Sequence, residues 1–382
     1  MIVRARAPLR LSFAGGGTEL SPYVDRFGGQ VLNSTISLYA YATVQPSADG
    51  RVHFMADDHG GSVDCDAVSR LPIEPDLPLH RGVYNRMVRD FHDGLPLPVT
   101  VSTFCDAPVG SGLGSSSTLT VAMLKAYAAY LGLGLGEYDL ARLAFEVERV
   151  DLGLNGGRQD QYAATFGGFN FMEFLPGDRV VINPLRVRDW IRSELEASLV
   201  LYYTGTSRES ARIIQEQTQR LQAADADTLR RFDAMKLHAA LLKEFLLKGD
   251  LYAFAQVLGK SWAEKLGTAS SVSNDHINSA YACAIAAGAV GGKISGAGGG
   301  GFMMLVCDPT RKISVVNELK RHGGTVMNCR FVDEGAQAWS LPARQATDAY
   351  RMVSDAVVRP SLVSLDQAGL REQASSRARL RA

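Results

Sequence analysis

Along the chain, short stretches of alternating hydrophobic and polar residues give way to longer stretches of helical period, with three glycine-rich loops between them. Residues 2–13 alternate through Leu9, Leu11 and Phe13, which predicts a strand interrupted at Pro8. Residues 30–44 and 51–56 are rich in Val, Ile, Tyr and Thr and predict two further strands, punctuated by Pro46 and Gly50. Residues 57–80, with Gly60, Gly61 and three prolines, read as loop. Val83, Met87 and Phe91 then recur at four, with Tyr84 and Val88 beside them, and predict a helix over 81–91. A strand over 98–104 leads into helices over 115–131 (Leu119, Met123, Ala126, Tyr127, Tyr130) and 138–150 (Leu140, Leu143, Ala144, Val147, Val150). Residues 168–174 and 199–203 are strand-like. Amphipathic helices over 207–222, 226–247, 250–266 and 274–287 dominate the second half, followed by a strand over 302–307, a helix over 312–322 and a strand over 325–332.

A composition shift near 175–192, with Pro176-Gly177 and scattered charge, predicts a domain boundary. The division is therefore 1–185, 186–345 and a tail, 346–382. The arginine-rich tail is read as solvated, disordered or packed against a second copy of the chain in a homodimer.

Composition narrows the class. A length of 382 residues suits two domains, and 46% hydrophobic with 21% charged residues is ordinary for a globular enzyme. Lys plus Arg equals Asp plus Glu at 40 each, so nothing draws the chain to nucleic acid or an anionic membrane. Neither a signal peptide nor a membrane-spanning apolar run is visible. The five cysteines are scattered without Cys-x-x-Cys spacing, which fits reduced thiols in the cytoplasm and argues against a zinc site.

Candidate chemistry lies in the glycine loops. In Pro108-Val109-Gly110-Ser111-Gly112-Leu113-Gly114-Ser115-Ser116-Ser117, a strand runs through three glycines into a helix. Backbone amides, serine hydroxyls and a helix N-terminus then converge on one point, an anion cradle suited to nucleotide phosphates, with the serines also available to cap the helix. It is neither a Walker A loop nor a Gly-x-Gly-x-x-Gly fingerprint. The loop Gly15-Gly16-Gly17-Thr18-Glu19 sits between Arg10, suited to phosphate, and Glu19, suited to sugar hydroxyls. Glu146 has Arg142 and Arg149 as helical neighbours and reads as a surface ion pair, whereas Glu148 has less local compensation and is the better metal ligand. Asp160, behind Gly156-Gly157 and ahead of a strand, suits a general base kept ionised by a cation such as Arg10. Each feature alone is also explained as an ordinary turn, cap or solvated charge.

Taken together, Pro8 to Leu20, Pro108 to Ser117 and Lys293 to Met304 resemble the three motifs of the GHMP small-molecule kinases. Gly157-Arg158-Gln159-Asp160-Gln161-Tyr162-Ala163, Thr204-Gly205-Thr206-Ser207-Arg208 and Ser261-Trp262-Ala263-Glu264-Lys265 narrow the match to the family's heptose 7-phosphate kinases. The resemblance implies an α+β, two-domain GHMP kinase fold with nucleotide and sugar in the interdomain cleft. It implies ATP on the second motif, at Pro108, Gly110, Ser111, Gly112, Leu113, Gly114, Ser115, Ser116 and Ser117, with Ser116, Ser117 and Glu148 as Mg²⁺ ligands. Asp160 would be the base and Arg10 its catalytic partner. Gly16, Gly17, Thr18 and Glu19 would meet the sugar, and Gly298 lies in the third, site-closing motif. For the substrate's phosphate the candidates are Arg208 and Lys265, with Lys293 behind them. The implied reaction makes heptose 1,7-bisphosphate for surface polysaccharide. A kinase of another sugar, fucokinase-like, and a catalytically silent binding protein on the same fold are the other readings, the second opposed by the intact set of Asp160, Glu148, Arg10 and both phosphate loops.

Overall fold

The computed structural model describes residues 1–341 except 59, 109 and 207–209. Arg208 and the expected tail at 346–382, with its pairing to a second chain, lie outside the described residues. One sheet is built from β1 (Ile2–Ala14), β2 (Gly29–Pro46), β3 (Arg51–Ala56), β4 (Gly61–Asp66), β5 (Val99–Cys105), β6 (Phe169–Leu175) and β7 (Arg179–Pro184). A second contains β8 (Leu199–Tyr203), β9 (Ala289–Ile294), β10 (Phe302–Cys307) and β11 (Thr325–Met327), after which β12 (Gln337–Leu341) returns to the first sheet beside β1.

The large sheet runs β12-β1-β2-β5-β3-β4. One edge of β2 pairs with β1 along its length, while its other edge is shared by β6 (from Gly29) and β5 (from Ala40). Among β1 to β7 the pairing is antiparallel except between β3 and β5. The small sheet is β11-β8-β10-β9, all antiparallel. From Ala7 to Ala14 every residue of β1 is buried, because this half of the sheet is covered on both faces. One cover is the helix Ser115–Tyr130, which packs on β1 and β2 and touches the helices Pro78–Phe91, Glu137–Glu146 and Gln159–Phe166. Its neighbours surround it, so residues as far apart around its axis as Val121, Ala122, Met123 and Leu124 are all buried. The helices Ala226–Lys248 and Leu251–Leu266 pair with each other, the first resting on β1 and β2 and the second on β9.

Pro8 does not interrupt β1. The strand continues through it with a shift of register between Pro8 and Arg10. The supposed loop 57–80 contains β4, whose half-buried positions carry only Val63 and Cys65 as apolar residues against exposed Ser62, Asp64 and Asp66, a weak apolar signal. The helix expected over 138–150 is Glu137–Glu146 followed by a wider π-helical turn, Val147–Asp151. The strand expected over 325–332 stops at Met327.

Candidate active site

Gly110, Gly112 and Gly114 all have positive φ (72°, 77° and 78°), which lets the second loop turn back on itself three times. A Cβ on Gly112 would sit 2.4 Å from the Ser295 carbonyl oxygen, and one on Gly114 would sit 3.0 Å from the Asp160 carboxyl carbon. The loop is thus pressed between the third motif and the expected base. The helix begins at Ser115 with Gly114 at its N-cap and no side-chain cap, so the expectation that the serines cap it is corrected. Ser116 Oγ instead donates to Glu148 Oε1 (2.9 Å), and Ser117 Oγ accepts from Gln161 Nε2 (3.0 Å). The first-turn amides have no acceptor within the helix and are free for an anion.

Asp160 is the second residue of the helix Gln159–Phe166, where the helix dipole favours a carboxylate. Arg10, 3% exposed, reaches it from β1: Nε donates to Asp160 Oδ1 at 2.8 Å, with Nη2 2.7 Å from the same oxygen. The third guanidinium nitrogen, Nη1, donates to the Gly112 carbonyl (2.6 Å) and to Ser295 Oγ (3.3 Å). One arginine therefore ties all three glycine loops to the acid. Oδ2 of Asp160 is left without a side-chain hydrogen bond among the described residues and lies beside Gly114.

Glu148 sits in the π-helical turn and is 1% exposed. Gln161 Nε2 donates to its Oε2 at 2.5 Å, and Arg149 Nη1 stands 3.8 Å from Oε1. A buried carboxylate beside a serine hydroxyl, both on the cleft wall, is an oxygen donor set that suits Mg²⁺. Glu146 forms the expected surface pair with Arg142 at 2.9 Å and also binds Arg86 at 2.8 Å, while its other expected neighbour, Arg149, turns to Glu148 and Gly157.

In the first loop, Glu19 Oε2 accepts from the Gly17 amide (2.7 Å) and Oε1 from Gln159 Nε2 (2.9 Å). Burial still pushes its pKa up. Lys265, 3% exposed, donates to the Gly16 carbonyl at 3.1 Å. Burial lowers its pKa to about 8, with Glu19 pulling the other way.

The cleft has a volume of about 300 Å³ and is walled by Arg10, Glu19, Ser116, Glu148, Asp160 and Lys265 among others. Several expected residues do not reach it. The Thr18 hydroxyl donates to the Gly15 carbonyl at 2.8 Å and accepts from the Gln30 amide at 3.0 Å, so it holds the turn from behind. Ser111 and Leu113 serve through carbonyls, accepting from the amides of Phe302 (2.9 Å) and Arg10 (3.2 Å), and Pro108 accepts from Ser111 (3.1 Å). Gly298 packs on Val272, where a Cβ would fall 2.6 Å from the carbonyl oxygen. Lys293 donates to the Ser12 carbonyl at 3.0 Å, and burial holds its pKa well below the lysine range. These six stitch the loops together away from the cleft. Arg149, Gln159, Gln161 and Ser295 carry site contacts that the sequence reading did not assign. Gln159 and Gln161 flank Asp160 in its motif, and that adjacency was the available signal.

Residues 78–168 match the N-terminal domain of the GHMP kinases and residues 241–325 their C-terminal domain. The chain belongs to the GHMP kinase family, has its two-domain fold, and is an ATP-dependent kinase. It is 45% identical over 339 residues to the D-glycero-alpha-D-manno-heptose 7-phosphate kinase of Campylobacter jejuni, covering 89% of this chain and 99% of that one. It is also similar to the crystal structure of a D-glycero-D-manno-heptose 1-phosphate kinase from Bacteroides thetaiotaomicron, with a TM-score of 0.76 and 44% identity over 89% of this chain and all of the other. Lactococcus lactis galactokinase shares the fold at a TM-score of 0.70 with 16% identity, over 88% of this chain and 95% of that one. No described helix is long and apolar enough to cross a membrane.

Proposed function

We propose that the protein phosphorylates the anomeric hydroxyl of D-glycero-D-manno-heptose 7-phosphate with Mg²⁺-ATP. The product is the 1,7-bisphosphate, which feeds nucleotide-activated heptose and surface polysaccharide. The observation that carries the reading is the contact of the anion-binding loop at Gly114 with the Asp160 carboxylate. On this reading the phosphoryl donor and the proton acceptor meet at one point of the cleft. Asp160 takes the hydroxyl proton on Oδ2 as the sugar oxygen attacks the γ-phosphorus. The bond to the β,γ-bridging oxygen breaks, and ADP leaves. Arg10 holds Oδ1 and offsets the charge that builds on the transferring group. Glu148 and Ser116 would hold Mg²⁺, which supplies charge neutralisation for the ATP phosphates. The names of the two similar kinases differ on where the phosphate sits, 7 in one and 1 in the other. Either named acceptor leads to the same 1,7-bisphosphate, and of the two only the 7-phosphate has a free anomeric hydroxyl, which is the acceptor proposed here.

We assign residues 1–185 to one lobe and the described residues from 186 on to the other, except β12, which pairs in the sheet of the first. The cytoplasm is the compartment we assign, on five cysteines that are all free thiols. ADP release with Mg²⁺-ATP against heptose 7-phosphate, mannose 6-phosphate, fucose, galactose and mevalonate tests the substrate. Turnover confined to the phosphorylated heptose is expected, and preference for an unphosphorylated sugar overturns the assignment.

Two further outcomes follow from the site. Glu148→Gln keeps the shape of the carboxylate but halves its oxygen donors and removes its charge. The Mg²⁺ concentration for half-maximal rate is expected to rise about tenfold or more, read from Mg²⁺ titrations at fixed ATP. Lys265 is our choice for the substrate phosphate. The unfolded chain keeps the ordinary lysine value of 10.5, so folded Lys265, at about 8, loses its proton first. Its contribution to stability therefore increases from about pH 8 to about 10.5, while its attraction for an anion fades as pH rises through about 8. KM for the sugar phosphate is expected to climb above pH 8 in the wild type and to stay flat in Lys265→Arg.

A further inference from the structure

Outside the cleft, the structure brings a cysteine to a glutamate and a histidine that lie more than thirty residues further along the chain. Cys283 lies on the helix Asp275–Ala287, while Glu318 and His322 lie on and just beyond the helix Lys312–Lys320. Those two helices pack against each other. The thiol, a carboxylate oxygen and an imidazole nitrogen all lie within 4.8 Å of one another, and each residue is half-buried. His276 is on the same helical face as Cys283, seven residues earlier, and its ring centroid is 6.4 Å from that of His322.

These dimensions are close to those of a tetrahedral zinc centre. With bonds of about 2.0–2.3 Å, neighbouring ligand atoms in such a centre stand about 3.3–3.8 Å apart, and two imidazoles have centroids about 5 Å apart. Side-chain shifts of about 1 Å close the difference. Arg321 binds Glu318 at 2.5 Å, but it is 74% exposed and its ion pair is cheap to release.

The geometry points to a Zn²⁺-class transition-metal site formed by Cys283, Glu318 and His322, with His276 or water in the fourth position. A thiolate and an imidazole select Zn²⁺ or Co²⁺ and disfavour Mg²⁺, so the site is chemically separate from the all-oxygen pair of Glu148 and Ser116. A metal there clamps two helices that are otherwise joined by packing. The first of them runs directly into β9 and, beyond it, Gly296 and Ala297 of the cleft wall. Its effect is therefore structural, steadying the third motif from outside. The absence of Cys-x-x-Cys spacing, which argued against zinc in the sequence, does not bear on ligands brought together from two helices.

The test uses the full chain, stripped with chelator and titrated with Co²⁺. One equivalent is expected to give the intense d–d absorption of a tetrahedral site together with a thiolate-to-cobalt charge-transfer band, and Zn²⁺ is expected to bleach both. Millimolar Mg²⁺ is expected to leave them unchanged. Cys283→Ser should abolish the charge-transfer band, and Glu318→Gln and His322→Ala should each weaken Zn²⁺ binding at least tenfold, while Cys65→Ser changes nothing. Melting curves in chelator, the same for wild type and variants, establish that the variants are folded. The inference is overturned by octahedral cobalt spectra alone, by a charge-transfer band that survives Cys283→Ser, or by Zn²⁺ binding indifferent to Glu318→Gln and His322→Ala. None of these readouts depends on kinase activity, so failure here leaves the proposed reaction standing.

Discussion

Asp160→Asn is expected to lower kcat for phosphoryl transfer about a thousandfold while changing KM for ATP and sugar by less than about threefold. Asparagine fills the same space and still offers an oxygen to Arg10, so the bonds from Nε and Nη2 to Oδ1 have a geometric replacement. The amide nitrogen falls where Oδ2 stands, beside the phosphate loop at Gly114, and cannot take a proton. Loss of rate without loss of binding is the signature of a group that acts only in the transition state. If kcat falls less than tenfold, the hydroxyl is deprotonated without Asp160, and the enzyme works by positioning alone. If KM for both substrates rises as far as kcat falls, the residue is holding the cleft together and is not the base.

How much of this was written in the sequence depends on whether a residue speaks through its neighbours in the chain or across space. The helix Ser115–Tyr130 and the long helices after Ser210 were legible because their apolar periodicity is local. β4 was not, since its alternation divides half-buried from exposed positions with hardly an apolar residue to mark it. β12 was hidden for a different reason: it is a short strand whose partner, β1, begins the chain. In the site, the motif spacing located Asp160, Glu148 and Arg10, but it could not tell a cleft-facing residue from one that supports the cleft. Thr18 and Lys265 stand in comparable polar motifs, yet one hydroxyl is spent on the Gly15 and Gln30 backbone and the other side chain reaches the cleft. In the sequence Lys293 is a candidate behind Arg208 and Lys265 because a phosphorylated sugar needs fixed positive charge at the end remote from the reaction. Its position on β9 turns the ammonium onto the Ser12 carbonyl. The metal-binding trio was illegible altogether, because its ligands come from two helices brought together by tertiary packing.

Arg10→Met is expected to damage both folding and chemistry, and Arg10→Lys to separate them. The guanidinium spends all three nitrogens: two on Asp160 Oδ1, and the third on the Gly112 carbonyl and Ser295 Oγ. Methionine matches much of the volume but leaves the Gly112 carbonyl and the carboxylate without their donors, in a site where Arg10 itself is 3% exposed. Breaking a fully buried pair costs about 3–5 kcal/mol, and Asp160 is 23% exposed, so about 2–3 kcal/mol is expected. For a chain of 382 residues that lowers Tm by about 3–4 °C. Lysine keeps the charge but cannot span three acceptors from one nitrogen. Arg10→Lys is therefore expected to melt within about 1 °C of the wild type while its kcat falls about a hundredfold, because Asp160 and the phosphate loop are no longer held to each other. Calorimetry and steady-state ADP release on the same preparations give the comparison. Should Arg10→Lys retain near-full kcat, the positive charge alone suffices, and the three-way tie between the glycine loops is a folding device with no part in the reaction.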